Sequence, residues 1–372
     1  MRVINVTLKN FRNYQEESFQ PHQAINIITG SNAQGKTNLL ESIYYTFRGR
    51  SFRAERDKDI IHWQNDTTTI RTGVLLNSRN VDIKWKIKEN NKKLIINGID
   101  TPRAELDHFG VVLFCPEDLY LVKGSPQERR KFLDNDVGSL NPGYSKTWRQ
   151  YARVLTQRNT LLKEIRDKRT SQTQDMLEVW DEQLYRHGAR VIYLRLQILK
   201  KLIPIARSIH HKITEGAEEL QAKYLSSLAL EPGLTEEQIY QIFFKTGQKM
   251  RPTEIQRCQT MLGPHRDDLS LSLNGIEARS FGSQGQQRTV TLSLKLSQLE
   301  LWYREFGDYP ILLLDDVLFE LDHSRQSMLL DKINKVQTFI TTSFTGGIEN
   351  TIKGAGLLWQ VNAGNLTAKE EL

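Results

Sequence analysis

Apolar positions change their spacing along the chain. Near the N-terminus they alternate, at Ile4, Val6 and Leu8 and again over 69–76, 81–87 and 94–96, which predicts strands with one buried face. Residues 24–29 form an unbroken apolar run, followed by a glycine-rich turn and a helical stretch over 36–47. Asn97-Gly98 marks a tight turn, and Val111 to Phe114 reads as a short buried strand stopped by Pro116. From 126 to 214 the spacing becomes three and four. Tyr144, Trp148, Tyr151, Leu155, Leu162 and Ile165 make one stripe, and Leu177, Trp180, Leu184, Val191, Leu194 and Ile198 a second. Two such stripes joined by a polar link predict an antiparallel helical hairpin. Pro204 is expected to bend or end the second helix, and Pro232-Gly233 and Pro252 to punctuate the stretch beyond it. The last third returns to alternation at Leu269, Leu271 and Leu273. A long helical stretch over 283–306 comes next, then apolar strands at 311–314 and 336–341.

This order implies an α/β head assembled from both ends of the chain, residues 1–116 and 255–372, with a helical lobe, 117–254, inserted between them. With 372 residues the chain exceeds one simple core. Hydrophobic residues at 38% and charged residues at 26% are ordinary for a globular protein. The net charge of +7 permits a polyanionic partner without identifying one. Cys115 and Cys258 have no spacing suited to a metal site or a disulfide framework and read as buried thiols. The apolar runs fall far short of the ~20 residues that span a bilayer, and a strand-like alternation begins at Arg2. The expectation is a cytoplasmic protein with no membrane partner.

Gly30-Ser31-Asn32-Ala33-Gln34-Gly35-Lys36-Thr37 fits G-x-x-x-x-G-K-[ST] at every fixed position, between an apolar strand and a helix. Glycines let the backbone wrap phosphates, and the helix start favours negative charge. Lys36 is expected on the β- and γ-phosphates of ATP, and Thr37 on Mg²⁺. The strand at 311–314 delivers Asp315, expected to hold Mg²⁺, and Asp316, placed as a base or water-orienting group. Ser283, Gln284, Gly285 and Gln286 open the long helix before that strand. They resemble the signature motif of ABC-type ATPases, usually Ser-Gly-Gly-Gln, which in that superfamily covers the γ-phosphate held by the other protomer of a two-fold dimer. Asp322 stands where the superfamily has its D-loop. Thr341-Thr342-Ser343 stands where many members place a switch histidine, so the γ-phosphate sensor is changed or absent. Arg12 falls where SMC-like heads put a basic residue near the nucleotide; a surface arginine is the other reading.

The match is closer than superfamily level. The blocks Lys9 to Tyr14, Gly30 to Thr37, Gly49 to Arg53, Phe114 to Leu119, Gln127 to Asp134, Gly263 to Asp268, Ser283 to Thr289 and Leu314 to Asp322 run in order and resemble the RecF family of bacterial repair proteins. The resemblance implies an SMC-like P-loop ATPase head with a compact helical lobe in place of long coiled coils. It implies an ATP-dependent homodimer, slow ATP hydrolysis, binding of duplex DNA and of single-strand/duplex junctions, and work with RecR and RecO to load recombinase at gaps in recombinational repair. Phe319 departs from the family, where a small residue is commoner. The Gly263 to Asp268 block lies either on the nucleotide-facing side or in a buried ion-pair network. Asp316 is one methylene shorter than the Glu of faster ABC ATPases. A misplacement of about 1 Å can cost about 100-fold in rate, which predicts slow turnover.

For DNA, the basic residues of the lobe (Arg149, Arg153, Arg158, Lys163, Arg166, Lys168, Arg169, Arg186, Arg190, Arg195, Lys200, Lys201 and Arg207) are mixed with acids and read mainly as solvated helix surface. Arg50, Arg53, Arg56 and Lys58 are the N-terminal candidates. No base-reading motif occurs, so phosphate contacts with steep salt dependence are expected. Two other readings compete: an energy-coupling ATPase of a transporter, disfavoured by the altered signature and the missing histidine, and an ATP-bound scaffold without turnover, disfavoured by intact Lys36, Thr37, Asp315 and Asp316.

Overall fold

The structure is a computed structural model that describes residues 1–168, 171–318, 322, 325–326, 329, 333–343 and 356–371. Arg169, Phe319, Glu320 and Leu321 lie outside the described residues. The chain divides into two compact units, Met1–Asp118 with Leu299–Leu372, and Leu119–Gln298.

In the first unit β1 (Arg2–Phe11) and β2 (Tyr14–Phe19) form a hairpin, and β3 (Ile25–Thr29) runs through the P-loop into α1 (Lys36–Arg48). The strands β4 (Thr67–Leu76), β5 (Arg79–Lys88), β6 (Asn91–Ile96) and β7 (Ile99–Asp100) come next, then β8 (Val111–Phe114). An antiparallel sheet has the order β2-β1-β4-β5-β6-β7. Its alternation is plain in β5, where Ile83, Trp85 and Ile87 are buried while Lys86 and Lys88 face water. Asn97 and Gly98 both take left-handed φ, 50° and 83°, as a two-residue hairpin turn requires.

In the second unit come α2 (Tyr120–Lys123), α3 (Pro126–Lys131), α4 (Tyr144–Lys168), α5 (Ser171–Ile213), β9 (Leu220–Leu225), α6 (Glu236–Arg257), β10 (Asp268–Leu273), β11 (Ile276–Glu277), α7 (Ala278–Phe281) and the start of α8 (Gln284–Phe306). Helices α4 and α5 are antiparallel: Arg158 pairs with Asp181, and Leu162 and Ile165 cluster with Leu177. Pro204 does not end α5, which continues to Ile213, and Pro252 lies inside α6. In both cases the turn after the proline is held by tertiary contacts: Ile205, Ala206 and Ile209 are buried after Pro204, and Glu254 is ion-paired to Arg158 after Pro252. The lobe also reaches past the expected residue 254. Strand β10 pairs with β9 (Leu269↔Tyr224, Leu271↔Ala222) and with β11, so the Leu269-Leu271-Leu273 alternation belongs to a small sheet of this unit.

The first unit closes with β12 (Ile311–Asp315), β13 (Thr338–Thr342), β14 (Gly356–Asn362) and β15 (Asn365–Glu371). The second sheet of this unit has the order β15-β14-β3-β13-β12-β8, parallel from β14 to β8, with β15 antiparallel at the edge. β3, β12 and β13 are buried at every position, as strands covered on both faces are. Helix α1 lies between the two sheets of this unit, packed on β8, β12 and β13 on one side and β1, β4 and β5 on the other. Leu39 to Phe47 are buried without a break, polar Glu41, Ser42 and Thr46 included. This fixes the P-loop at the start of a helix buried along most of its length.

Candidate nucleotide-binding site

The P-loop is shaped by backbone conformations that side chains resist. Gly30 has φ 150° and Gly35 φ 119°. A Cβ on Gly30 would stand 2.5 Å from the Val361 carbonyl oxygen, and one on Gly35 would stand 2.6 Å from Asn13 Nδ2. Helix α1 starts at Gly35 with no side-chain cap and no acid in its first turn. Its first N–H groups are therefore available to an anion, and the helix dipole favours one. Lys36 is buried, and its ammonium donates to the carbonyls of Gly30 at 2.8 Å and Ser31 at 3.1 Å. It also lies 3.2 Å from Ser343 Oγ, whose hydroxyl donates to Asn32 Oδ1 at 2.8 Å. A hydroxyl thus touches Lys36 at the place where a switch histidine was sought.

The acids sit at the end of β12. Thr37 donates to Asp315 Oδ1 at 2.8 Å, and Thr341 donates to the same oxygen at 2.7 Å. The Thr341 hydroxyl in turn accepts from the Asp316 backbone N–H at 3.0 Å, so one side chain holds the Asp315 carboxylate and the main chain of Asp316. Asp316 holds a left-handed φ of 54°. Burial pushes the Asp315 carboxyl above its usual range, against the Thr341 and Thr37 hydrogen bonds that stabilise the carboxylate; nearby Asp316 adds to the rise and Arg53 opposes it. The two oxygens Thr37 Oγ1 and Asp315 Oδ1 are hard donors, and among the described residues no group of three or more His, Cys, Asp or Glu converges. Few protein oxygens, with phosphate and water completing the shell, is the pattern Mg²⁺ favours.

Several neighbours of the loop were not visible in the sequence. Asn13, on the β1–β2 turn, donates to the Gln34 carbonyl at 2.8 Å and accepts from Asn38 Nδ2 at 2.8 Å. Tyr14 donates to the Gly35 carbonyl at 3.0 Å. From the β14–β15 turn the Ala363 N–H donates to Gln34 Oε1 at 2.6 Å. Asn13 and Tyr14 lie in the Lys9 to Tyr14 block; for Ala363 no sequence signal exists.

Two arginines near the loop have partners within the unit. The Arg12 guanidinium makes a two-pronged ion pair with Glu41 of α1, at 2.8 and 2.6 Å, and donates to the Asp59 carbonyl at 2.5 Å. Glu41 is fully buried and requires that partner. Arg53, a DNA candidate, is exposed, with Nη1 3.3 Å from Asn38 Oδ1 and its charge acting on Asp315. Arg56 and Lys58 are exposed but paired, Arg56 with Asp59 at 3.6 Å and Lys58 with Glu89 at 3.3 Å. Arg50 is half-buried.

In the second unit Ser283 caps α8 in a reciprocal box: Ser283 Oγ accepts from the Gln286 N–H at 3.2 Å and Gln286 Oε1 accepts from the Ser283 N–H at 2.8 Å. Ser283 and Gln284 are exposed, and Gly285 and Gln286 half-buried. Asp322, in the first unit, is exposed and pairs with Arg325. The Gly263 to Asp268 block is a buried polar network. Asp268 takes both prongs of Arg129, at 2.7 and 2.9 Å, and buried Asp267 accepts from Tyr224 at 2.5 Å and the Ser227 N–H at 2.7 Å. Arg195 joins this block to the Gln127 to Asp134 block, donating to the Pro264 carbonyl at 2.8 Å and to Asp134 at 2.5 Å. Arg195 and Arg158 are fully buried, so neither belongs to a solvated basic face.

The family pattern described as RecF/RecN/SMC N terminal domain matches residues 2–362. The DNA replication and repair protein RecF of Desulforamulus reducens is 72% identical over 372 residues, 100% of both chains. That of Pelotomaculum thermopropionicum is 46% identical over 342 residues, 92% of this chain and 93% of the relative. A solved structure of the recombination mediator protein RecF-ATP in the RecFOR pathway matches with a TM-score of 0.91 at 33% identity, over 99% of this chain and 98% of that one. The Smc head domain of Pyrococcus furiosus, with an extended coiled coil and bound to the C-terminal domain of ScpA, matches with a TM-score of 0.53 at 14% identity over 99% and 96% of the chains, a likeness of fold.

Proposed function

The chain belongs to the RecF family of SMC-like ATPase heads, and from that premise we propose that it is an ATP-gated DNA-binding protein of recombinational repair and replication-fork recovery, acting in a RecFOR-type pathway with RecR and RecO. The observation that carries this reading is the convergence of Lys36, Thr37 and Asp315 beside an uncapped helix start, together with an exposed serine-capped helix at Ser283. One half of a nucleotide clamp lies on each unit of the chain, and a second copy of the chain brings the halves together on each triphosphate.

Within this reading the P-loop N–H groups and the start of α1 take up the phosphates. The Lys36 ammonium, already at the loop mouth, neutralises the terminal ones. Thr37 and Asp315 hold Mg²⁺, which when bound neutralises phosphate charge. Asp316, whose backbone N–H is held by Thr341, positions the attacking water. Ser283 to Gln286 of the second copy close on the γ-phosphate, so ATP holds the dimer and hydrolysis releases it. DNA that prefers the closed dimer strengthens ATP binding by the same factor that ATP strengthens DNA binding.

Sizing the protein with and without ATP and duplex DNA tests this. Wild type is expected to dimerise with ATP, more so with DNA. Lys36→Met is expected to lose ATP binding, and Ser283→Arg to bind ATP yet remain monomeric. A wild-type chain that stays monomeric with both ligands at every concentration overturns the proposal.

A further inference from the structure

We infer that Glu218 is a positioning residue for the signature helix, holding Gln286 in the orientation in which Ser283 to Gln286 meet a nucleotide carried by a second copy of the chain. The inference rests on the trans-signature reading of the proposed function and adds a residue that no motif contains.

The Gln286 amide is fixed at both ends. Its oxygen accepts from the Ser283 N–H at 2.8 Å, and its nitrogen donates to Glu218 Oε1 at 2.9 Å. An amide bonded at one end alone keeps freedom about its last bond, and an exchange of its oxygen for nitrogen is opposed by that one contact alone. A carboxylate facing the nitrogen forbids the exchange, because two donors would then meet Ser283 and two acceptors would meet each other. Glu218 thereby locks the capping box that shapes the tip of α8.

Glu218 is itself held. Its Oε2 lies 3.1 Å from Nε2 of His210, a fully buried side chain in the last turn of α5. His210 Nδ1 reaches Ser293 Oγ of α8 at 3.2 Å. Gln286 and Ser293 are seven residues apart, two turns of one helix face, so Glu218 and His210 together grip α8 at two successive levels. The backbone around Glu218 is fixed as well. Gly216, at φ 82°, donates to the His211 carbonyl at 2.8 Å, and Glu219 exchanges bonds with Asn274, its N–H on Oδ1 at 2.8 Å and its carbonyl on the Asn274 N–H at 3.0 Å. The end of α5 and the tip of the signature helix therefore share one carboxylate.

The test uses the full chain with ATP. Glu218→Ala is expected to raise the dimer dissociation constant about tenfold, equivalent to ~1.4 kcal/mol. The ATP affinity of dilute monomer stays near wild type, while the melting temperature falls modestly because buried His210 loses that contact. Glu218→Gln, which keeps an oxygen acceptor at the same place, recovers most of the loss. In a Gln286→Ala background the Glu218→Ala change adds nothing to the dimer dissociation constant, because the bond through which Glu218 orients the signature is already gone, while its contact with His210 bears on the fold alone. Wild-type dimerisation of Glu218→Ala overturns the inference. So does a cost undiminished beside Gln286→Ala, or a loss of dimerisation that tracks equal losses of melting temperature and ATP affinity. Ser283→Arg separates the two levels: if it dimerises normally the trans-signature reading fails, whereas a blocked Ser283→Arg beside an unaffected Glu218→Ala sinks Glu218 alone.

Discussion

Asp315 shows how a functional group strains the fold that carries it. Its pKa is raised in the folded state, mainly by burial. A carboxyl raised in this way favours folding while protonated, below its unfolded value, and that contribution is lost as pH rises through the folded one. At neutral pH the ionised Asp315 therefore weighs against the nucleotide-free fold. Asp315→Asn is expected to raise the melting temperature without nucleotide by roughly 2–4 °C, about 1 kcal/mol, and to abolish Mg²⁺-dependent hydrolysis. A lower melting temperature in that variant contradicts the account. Arg12 presents the opposite case. Removing it leaves Glu41 buried beside the neutral Ser51 hydroxyl without that counter-charge, so Arg12→Ala is expected to destabilise the chain by about 3–5 kcal/mol in urea unfolding. Weakened ATP binding with unchanged stability would instead restore Arg12 to the nucleotide.

At the scale of elements, helices run where side-chain networks allow, not where local propensity stops them. Arg158 links α4 to α5 and α6 through Asp181 at 2.6 Å and Glu254 at 2.6 Å, and it donates to Thr260 at 2.7 Å. Glu254 lies two residues after Pro252, so this ion pair restrains the turn that the proline weakens. Arg158→Met leaves buried Glu254 without its cation and Asp181 with Arg251 in its place, and a loss of about 3–5 kcal/mol is expected in urea unfolding. A change under about 1 kcal/mol would mean that the network contributes specificity and little stability. The helical hairpin was legible from its two stripes because a 3.6-residue period is a local property. The passage of α5 through Pro204 was not legible, since it depends on burial of Ile205 and Ile209.

At the scale of the whole molecule, one contribution to pH dependence comes from a group far in sequence from the P-loop. His265 accepts from the Tyr151 hydroxyl at 2.6 Å through Nδ1 and donates to the Thr260 carbonyl through Nε2 at 3.2 Å, which is the neutral tautomer. Burial, with Arg266, Arg130 and Arg158 nearby, lowers its pKa to about 4, against the Thr260 bond. The neutral imidazole stabilises the fold above its unfolded pKa, and this is lost as pH falls from about 6.5 towards 4. The stability advantage of wild type over His265→Gln is therefore expected to shrink by about 2 kcal/mol between pH 7 and pH 5. An advantage that is the same at both pH values sinks this assignment. Among the described residues no helix is long and apolar enough to cross a membrane.

By itself the sequence determined what depends on neighbours along the chain: the P-loop and its flanking strand and helix, the alternating strands, the two helical stripes, and the order of blocks that marks the family. Tertiary structure alone decided where charges find partners. It turned Arg12 onto Glu41, moved Arg53 beside Asp315, buried Arg158 and Arg195, and joined the Gly263 to Asp268 block to the Gln127 to Asp134 block. It also extended the lobe to Gln298, because β10 finds β9 across a long stretch of chain. The reason is physical. Periodicity and turn chemistry act over a few residues, whereas an ion pair depends on desolvation and on a partner that may lie 139 residues away, as Asp268 does from Arg129.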